Sequence, residues 1–188
     1  LDALAFLTVP ATATSGVAFS VVVSASKAGN PSEGISVTVS KNAGAGTVAP
    51  LSATTDASGH ATFSLTYDAA ADAETFSLNA TASDAAGAAV DAPASSNITA
   101  DVVATVLVYT TQPGGNTSPG ALSTQPVLEA RDAAGLLDVD FTSGVTLSTA
   151  AGGTIGGTNP KGAVAGVVTF TDITYTATAD NESFTLTA

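Results

Sequence analysis

The sequence predicts an all-β protein: two β-sandwiches in tandem, residues 1–102 and 103–188, the second lacking its own last strand. Three observations carry this expectation. The chain repeats itself. Gly59-His-Ala-Thr-Phe-Ser-Leu-Thr-Tyr67 returns as Gly166-Val-Val-Thr-Phe-Thr-Asp-Ile-Thr-Tyr175, and Ala71-Asp-Ala-Glu-Thr-Phe-Ser-Leu-Asn-Ala80 returns as Ala179-Asp-Asn-Glu-Ser-Phe-Thr-Leu-Thr-Ala188. The offset is 107 from Phe63 to Phe170 and 108 from Tyr67 to Tyr175 and from Phe76 to Phe184. Composition is the second observation: 45% hydrophobic but only 5% aromatic, with about a quarter Ser or Thr, which suits pleated sheets better than long helices. Third, turn residues punctuate the chain about every 8–12 residues, the spacing of short antiparallel strands.

Each strand has a local reason. Ala3-Leu-Ala-Phe-Leu-Thr-Val9 ends at Pro10, which cannot donate to a ladder. Val17–Ser26 contains the continuous core run Val21-Val-Val23, and Lys27-Ala-Gly-Asn-Pro-Ser-Glu-Gly34 is turn chemistry throughout. Ile35-Ser-Val-Thr-Val-Ser40 alternates with period two, as a half-buried strand does. A weak strand near Thr47–Leu51 precedes the turn Asp56-Ala-Ser-Gly59, whose Asp-x-x-Gly form recurs at Asp84–Gly87 and Asp132–Gly135.

After that turn Phe63, Leu65 and Tyr67 share one face. Phe170, Ile173 and Tyr175 do not, because Asp172 is one residue too many. A single extra residue predicts a β-bulge at Thr171–Asp172. Thr75–Ser83 and Asn97–Val103 complete the first unit. The second restarts at Val106-Leu-Val-Tyr-Thr-Thr-Gln-Pro113 and continues through Pro126–Arg131 and Gly144–Ser148. Its sequence ends at Ala188, the counterpart of Ala80. The missing strand is expected either from a longer array of which this is an excerpt or from another chain. A start at Leu1 with no Met anywhere likewise reads as a mature or excised segment. Seven short strands per unit fit a sandwich of immunoglobulin type, and the short apolar junction Asp101-Val-Val-Ala-Thr105 predicts two units end to end with limited freedom.

Gln112-Pro-Gly-Gly, Gln125-Pro-Val-Leu-Glu-Ala-Arg-Asp-Ala-Ala-Gly135, Ser143-Gly-Val-Thr-Leu, Gly166-Val-Val-Thr-Phe-Thr-Asp-Ile and Phe184-Thr-Leu-Thr-Ala188 resemble the tandem bacterial immunoglobulin-like repeats of large adhesin-type cell-surface proteins. The resemblance covers essentially the whole second unit and, more loosely, the first. It implies an extracellular, non-enzymatic role among neighbouring repeats or subunits of the same protein. Such repeats serve as stalks, adhesin arms, layer subunits and enzyme-attached modules, so architecture is better specified than task. The family's usual Tyr before the final Leu-Thr-Ala is Phe76 and Phe184 here, which predicts no tyrosine-corner hydrogen bond at those positions.

Charge and residue inventory narrow the function classes. A net charge of −12, from sixteen acids against four Lys/Arg, offers nucleic acid no clustered cations. No apolar run is long enough to insert in a membrane as a helix. No Cys means no disulfide and no thiolate metal site. The only imidazole, His60, is expected at a surface turn, and nothing beside it suggests a catalytic triad. Paired carboxylates without aromatic stacking faces do not suggest glycoside cleavage.

Calcium is the better of the sharp hypotheses. Asp72 and Glu74 recur as Asp180 and Glu182, with Asp101 and Asp132 as further candidate ligands and Asp138-Val-Asp140 a weaker pair. Six to eight oxygens at one pole would be needed; the plainer expectation is a solvated acidic loop and no cofactor. Asn79, Asn97, Asn116 and Asn181 each begin Asn-x-Ser/Thr and are candidate glycan acceptors in a secreted protein. Lys27, Lys41 and Lys161 raise the idea of Lys–Asn isopeptide crosslinks, but their spacing does not repeat between the units. The reading is thus a stiff spacer in an extracellular stalk, fibre or surface layer. The alternatives are a filament subunit polymerising by β-strand donation and a module binding surface glycan or a receptor.

Overall fold

The computed structural model describes residues 1–83, 87–115 and 118–188; the expected turn at Asp84–Gly87 and the candidate acceptor Asn116 fall wholly or partly outside them. No described residue is helical. The chain divides into two compact units, Leu1–Val102 and Val103–Ala188, and each is a β-sandwich.

In the first unit the strands run β1 (Ala3–Thr8), β2 (Thr12–Thr14), β3 (Ala18–Lys27), β4 (Asn30–Pro31), β5 (Ser36–Ala43), β6 (Thr47–Val48), β7 (Leu51–Thr54), β8 (His60–Asp68), β9 (Thr75–Ser83), β10 (Ala89–Asp91) and β11 (Ile98–Asp101). One sheet has the order β1-β3-β8-β6 with β4 beside β3. The other is β2-β11-β9-β5-β7 with β10 beside β9. The alternation in β8 does the sorting. Ala61, Phe63, Leu65 and Tyr67 are buried while Thr62, Ser64 and Thr66 face solvent. Across the gap Val37, Val39, Phe76, Leu78, Ile98 and Ala100 close the same core. Each fully buried large side chain contributes roughly 1.5–3 kcal/mol, so a few aromatics and many small residues suffice.

The second unit comprises β12 (Val106–Thr111), β13 (Gly120–Ala121), β14 (Val127–Arg131), β15 (Gly144–Val145), β16 (Thr154–Gly156), β17 (Lys161–Gly162), β18 (Val167–Thr169) and β19 (Thr174–Thr176). These pair as β12-β14-β18, β13-β19-β16 and β15-β17 around a core of Leu122, Leu128, Val145, Leu147, Val168, Phe170 and Ile173. The repeat extends to register. The β1–β3 ladder slips between Phe6 and Thr8, and the β12–β14 ladder slips between Tyr109 and Thr111. Ser40 pairs with Asn79, and the residues 108 further on, Ser148 and Thr187, form an isolated bridge with both hydrogen bonds at 2.8 Å. β19 is the last strand among the described residues.

The expected bulge is a larger event. Val22 faces Thr62 and Val127 faces Thr169, which puts Pro126 where Val21 stands. Ala18 faces Thr66 and Ala121 faces Thr174. Between these anchors one strand has gained two residues and its partner has gained one. Pro126 has no N–H with which to continue the ladder, so the counterparts of β3 and β8 each split in two. The Gln125 side chain mends the gap. Its Oε1 accepts from the Ile173 N–H (2.8 Å), and its Nε2 donates to Ile173 O (3.1 Å) and Leu122 O (2.9 Å). Phe170, Ile173 and Tyr175 are all returned to the interior, each 1% exposed.

Candidate functional site

The most elaborate polar constellation occurs twice, at the turn after β8 and again after β19. Tyr67 ends the buried face of β8. Its hydroxyl donates to Glu74 Oε1 (3.0 Å) and accepts from the Gly46 N–H (2.9 Å). Tyr175 does the same: it donates to Glu182 Oε1 (2.7 Å) and accepts from the Gly153 N–H (3.2 Å). Each ring lies flat on the phenyl two residues beyond its glutamate, Tyr67 on Phe76 and Tyr175 on Phe184, with centroids 3.7 Å apart in both. Glycine is required at Gly46, where a Cβ would come within 2.7 Å of the Tyr67 hydroxyl oxygen. Gly153 meets the corresponding atoms of Tyr175.

The glutamates tie down the turns themselves. Glu74 Oε1 accepts from the Ala70 N–H (2.7 Å). Glu182 Oε2 accepts from the N–H of Thr178 (2.7 Å), its hydroxyl (3.0 Å) and the N–H of Ala179 (3.3 Å). The Tyr175 bond and these donors favour the ionised carboxylate and bring Glu182 down to about 2. Burial, reinforced by the bond to Glu74, pushes Tyr67 up to about 12, and Tyr175 moves in the same direction for the same reasons. Lys41 closes the first site, its Nζ donating to Gly44 O (2.8 Å) and Gly46 O (2.6 Å). The chemistry of the constellation is structural, since its polar groups are engaged with the chain's own loops. No hydroxyl stands at Phe76 or Phe184; the buried hydroxyls are those of Tyr67 and Tyr175, each bonded to a glutamate and a glycine N–H. The spacing Tyr-x6-Glu-x-Phe, present at 67–76 and 175–184, is the signal that finds them.

The other candidate ligands also hold backbone. Asp72 Oδ1 accepts from the N–H of Ala73 and of Val102, both 2.8 Å. Asp101 receives the Thr14 hydroxyl at 3.4 Å. Asp132 Oδ1 accepts from the Leu136 N–H (2.8 Å) within a turn closed by Gly135 N–H to Asp132 O (3.1 Å). Asp56 builds the same turn, accepting from Ser58 (2.8 Å) and His60 (3.0 Å), and the His60 bond is the main cause of its lowered pKa. The Asp-x-x-Gly recurrence is therefore a turn motif. Asp138, 5% exposed, accepts from the N–H of Ala104 and of Phe141, both 2.8 Å. Asp180 takes the N–H of Asn181 at 3.1 Å. Within each unit taken by itself, no three described His, Asp or Glu residues bring ligand atoms within 4.8 Å of one another.

Of the candidate glycan acceptors, Asn97 and Asn181 are exposed outside strands, whereas Asn79 lies half-buried inside β9. His60 is partly exposed at the edge of β8. Lys27 is exposed at the end of β3 and Lys161 is partly exposed in β17.

The second unit carries a concave feature of its own. A groove of about 490 Å³ is lined by Tyr109, Gln112, Pro113, Gly114, Leu122 and Phe184, among others. The Tyr109 hydroxyl donates to Leu186 O across it (3.3 Å), and burial raises the pKa of that tyrosine. No described helix is long and apolar enough to cross a membrane.

No family model matches the chain, and no curated protein matches its sequence. Among solved structures it is similar to the D0-D1 domain of intimin, at 18% identity and a TM-score of 0.38, over 94% of this chain and 85% of that one. It is also similar to invasin, a bacterial integrin-binding protein, at 20% identity and a TM-score of 0.40. There the match covers 94% of this chain and 34% of invasin, so this chain spans about a third of that protein.

Proposed function

We propose that the chain is a non-enzymatic structural segment of an extracellular surface protein, acting as a stiff spacer under load. The pairing of β2 with β11 carries this reading. These strands lie near opposite ends of the first unit and run parallel, Thr12 beside Thr99, Ala13 beside Ala100 and Thr14 beside Asp101. Tension applied through Leu1 and Val102 draws them in opposite directions along their shared axis. Their hydrogen bonds, Thr99 N–H to Ala11 O (2.9 Å) and Ser15 N–H to Asp101 O (2.8 Å) among them, then resist together instead of opening one after another. Forced unfolding is governed by the unfolding barrier, and bonds loaded in parallel raise it.

Single-molecule extension of the first unit through its ends tests the reading. A distinct unfolding peak is expected, and Thr99→Pro, which deletes one loaded donor, should lower its force while circular dichroism still reports a folded sandwich. Extension without a peak, or a force unmoved in folded Thr99→Pro, would refute the spacer role.

A further inference from the structure

We infer that the outer face of the sheet β12-β14-β18 is an interface between two copies of this chain, stacked face to face about a two-fold axis. Strand alternation turns Leu107, Leu128 and Val168 into the core. It leaves Val106, Val108, Val127 and Val167 on the outer face, together with Glu129 and Arg131. Val164 joins them, because it stands opposite Val167 across the turn Ala165-Gly166. Val106, Val108 and Val164 are 47%, 38% and 77% exposed.

The first unit shows that the scaffold does not require these side chains. Its ladder β1-β3-β8 has the same register: Ala3 pairs with Ser26, Ala5 with Ser24, and Ser24 with His60. In the second unit Val106 pairs with Arg131, Val108 with Glu129, and Glu129 with Val167. At each of these five positions a small or polar residue of the first unit faces a valine or a member of an ion pair in the second. An exposed apolar patch interleaved with polar groups marks a contact surface.

Charge identifies the occupant. The chain carries a net charge of −12, which drives copies apart. Its only arginine lies in the middle of this face. Arg131 Nε donates to Glu129 Oε2 (2.8 Å), Nη2 donates to the same oxygen, and Nη1 donates to Gly135 O. Among the described residues, no hydrogen bond engages Glu129 Oε1. The pair is neutral as a whole, with an acceptor left on one member and N–H groups left on the other.

A two-fold axis through Ala130, lying in the interface at right angles to β14, sets Glu129 over Arg131 of the second copy and Arg131 over its Glu129. The same rotation lays Val106 over Val108 of the second copy, because Val106 is level with Arg131 and Val108 with Glu129. The face therefore complements itself in charge and in apolar pattern, and two sheets stack in this aligned manner in sandwich cores. With strands about 4.8 Å apart and residues about 3.4 Å along them, it measures roughly 15 by 17 Å. That is well below the roughly 800 Å² each partner gives a standard interface, so the dimer is a weak one. Copies anchored side by side reach the local concentrations it needs. That consequence rests on the surface role proposed above, whereas the dimer itself does not.

Sedimentation equilibrium of the full chain at concentrations up to about 1 mM tests the inference. A monomer–dimer equilibrium is expected. Val106→Ala with Val108→Ala, which installs the residues the first unit carries there, should weaken it at least about tenfold, or about 1.4 kcal/mol. Arg131→Glu and Glu129→Arg should each self-associate more weakly than the native chain. Mixed in equal amounts, they should pair at least about tenfold more tightly than either does alone, a gain that no loss of folding can imitate. A chain that stays monomeric throughout would overturn the inference. So would a dimer unmoved by the alanine pair, or a mixture no tighter than its components. Assembly beyond the dimer would overturn it too, because a two-fold contact closes on itself.

Discussion

Replacing Tyr67 by Phe removes a single oxygen and leaves the ring stacked on Phe76. Two bonds are lost. One joined the hydroxyl to the Glu74 carboxylate, the other supplied an acceptor to the buried Gly46 N–H. A bond to a charged partner is worth about 1.5–3 kcal/mol and a buried unpaired donor costs about 1–3 kcal/mol. Glu74 keeps the Ala70 N–H, and the two losses share one group, so they do not add fully. The sum is about 2–4 kcal/mol, which in a unit of about 100 residues lowers the melting temperature by roughly 10–20 °C. Calorimetry of the full chain should show the first unit's transition falling while the second unit's stays. Hydrogen exchange should quicken at the Gly46 amide. Glu74→Gln alone and in the double variant then gives the coupling of the pair. A fall below about 1 kcal/mol would refute the reasoning, because water would have to be serving Gly46 in place of the hydroxyl.

On the acid side, Glu182 is held at about 2 in the folded chain against an ordinary 4.5. A lowered folded pKa gives stability that is full above 4.5 and is lost as pH falls towards about 2. The melting-temperature gap between the native chain and Glu182→Gln should close across that window and stay constant above it. On the alkaline side, Tyr67 is raised from 10.0 to about 12, so its contribution is full below pH 10 and is lost as pH rises to about 12. All three tyrosines are shifted upward, and tyrosinate absorbance at pH 10 should be well under half its final value; half-ionisation there would refute the buried geometry. Chelator should leave both melting transitions in place, because the candidate carboxylates already hold backbone N–H groups; a fall in either transition would restore calcium.

What was legible in the sequence was whatever is written in side-chain alternation. Phe63, Leu65 and Tyr67 share a face because a strand has period two, and the structure buries all three. The surplus at Asp172 was legible too, but its remedy was not. The remedy depends on Gln125 and Pro126, just before β14 and distant in sequence, and no local pattern tells which side chain will reach a gap in another strand's ladder. The acidic positions were ambiguous for a related reason. Aspartate in a turn and aspartate on a cation look alike in sequence, and only the direction of nearby N–H groups separates them. Asp132 and Asp56, in unrelated surroundings, accept from the residue four positions on, which shows the turn as the cause.

The two units also show which features of a sandwich can be exchanged and which cannot. The long β3–β8 ladder of the first unit is broken in the second, and one amide side chain repairs it. A ladder is a sum of similar bonds, so the loss of a few is tolerable wherever another donor or acceptor can reach. The Gly–Tyr–Glu–Phe constellation is different. Glycine leaves room for the ring, the ring's hydroxyl faces both a buried N–H and a carboxylate, and the carboxylate gathers the turn. In the first unit, removing the tyrosine leaves the buried Gly46 N–H without its acceptor and the glutamate without its hydroxyl donor. Change is therefore costly one residue at a time, and both units carry the full set although their loops and strand lengths differ.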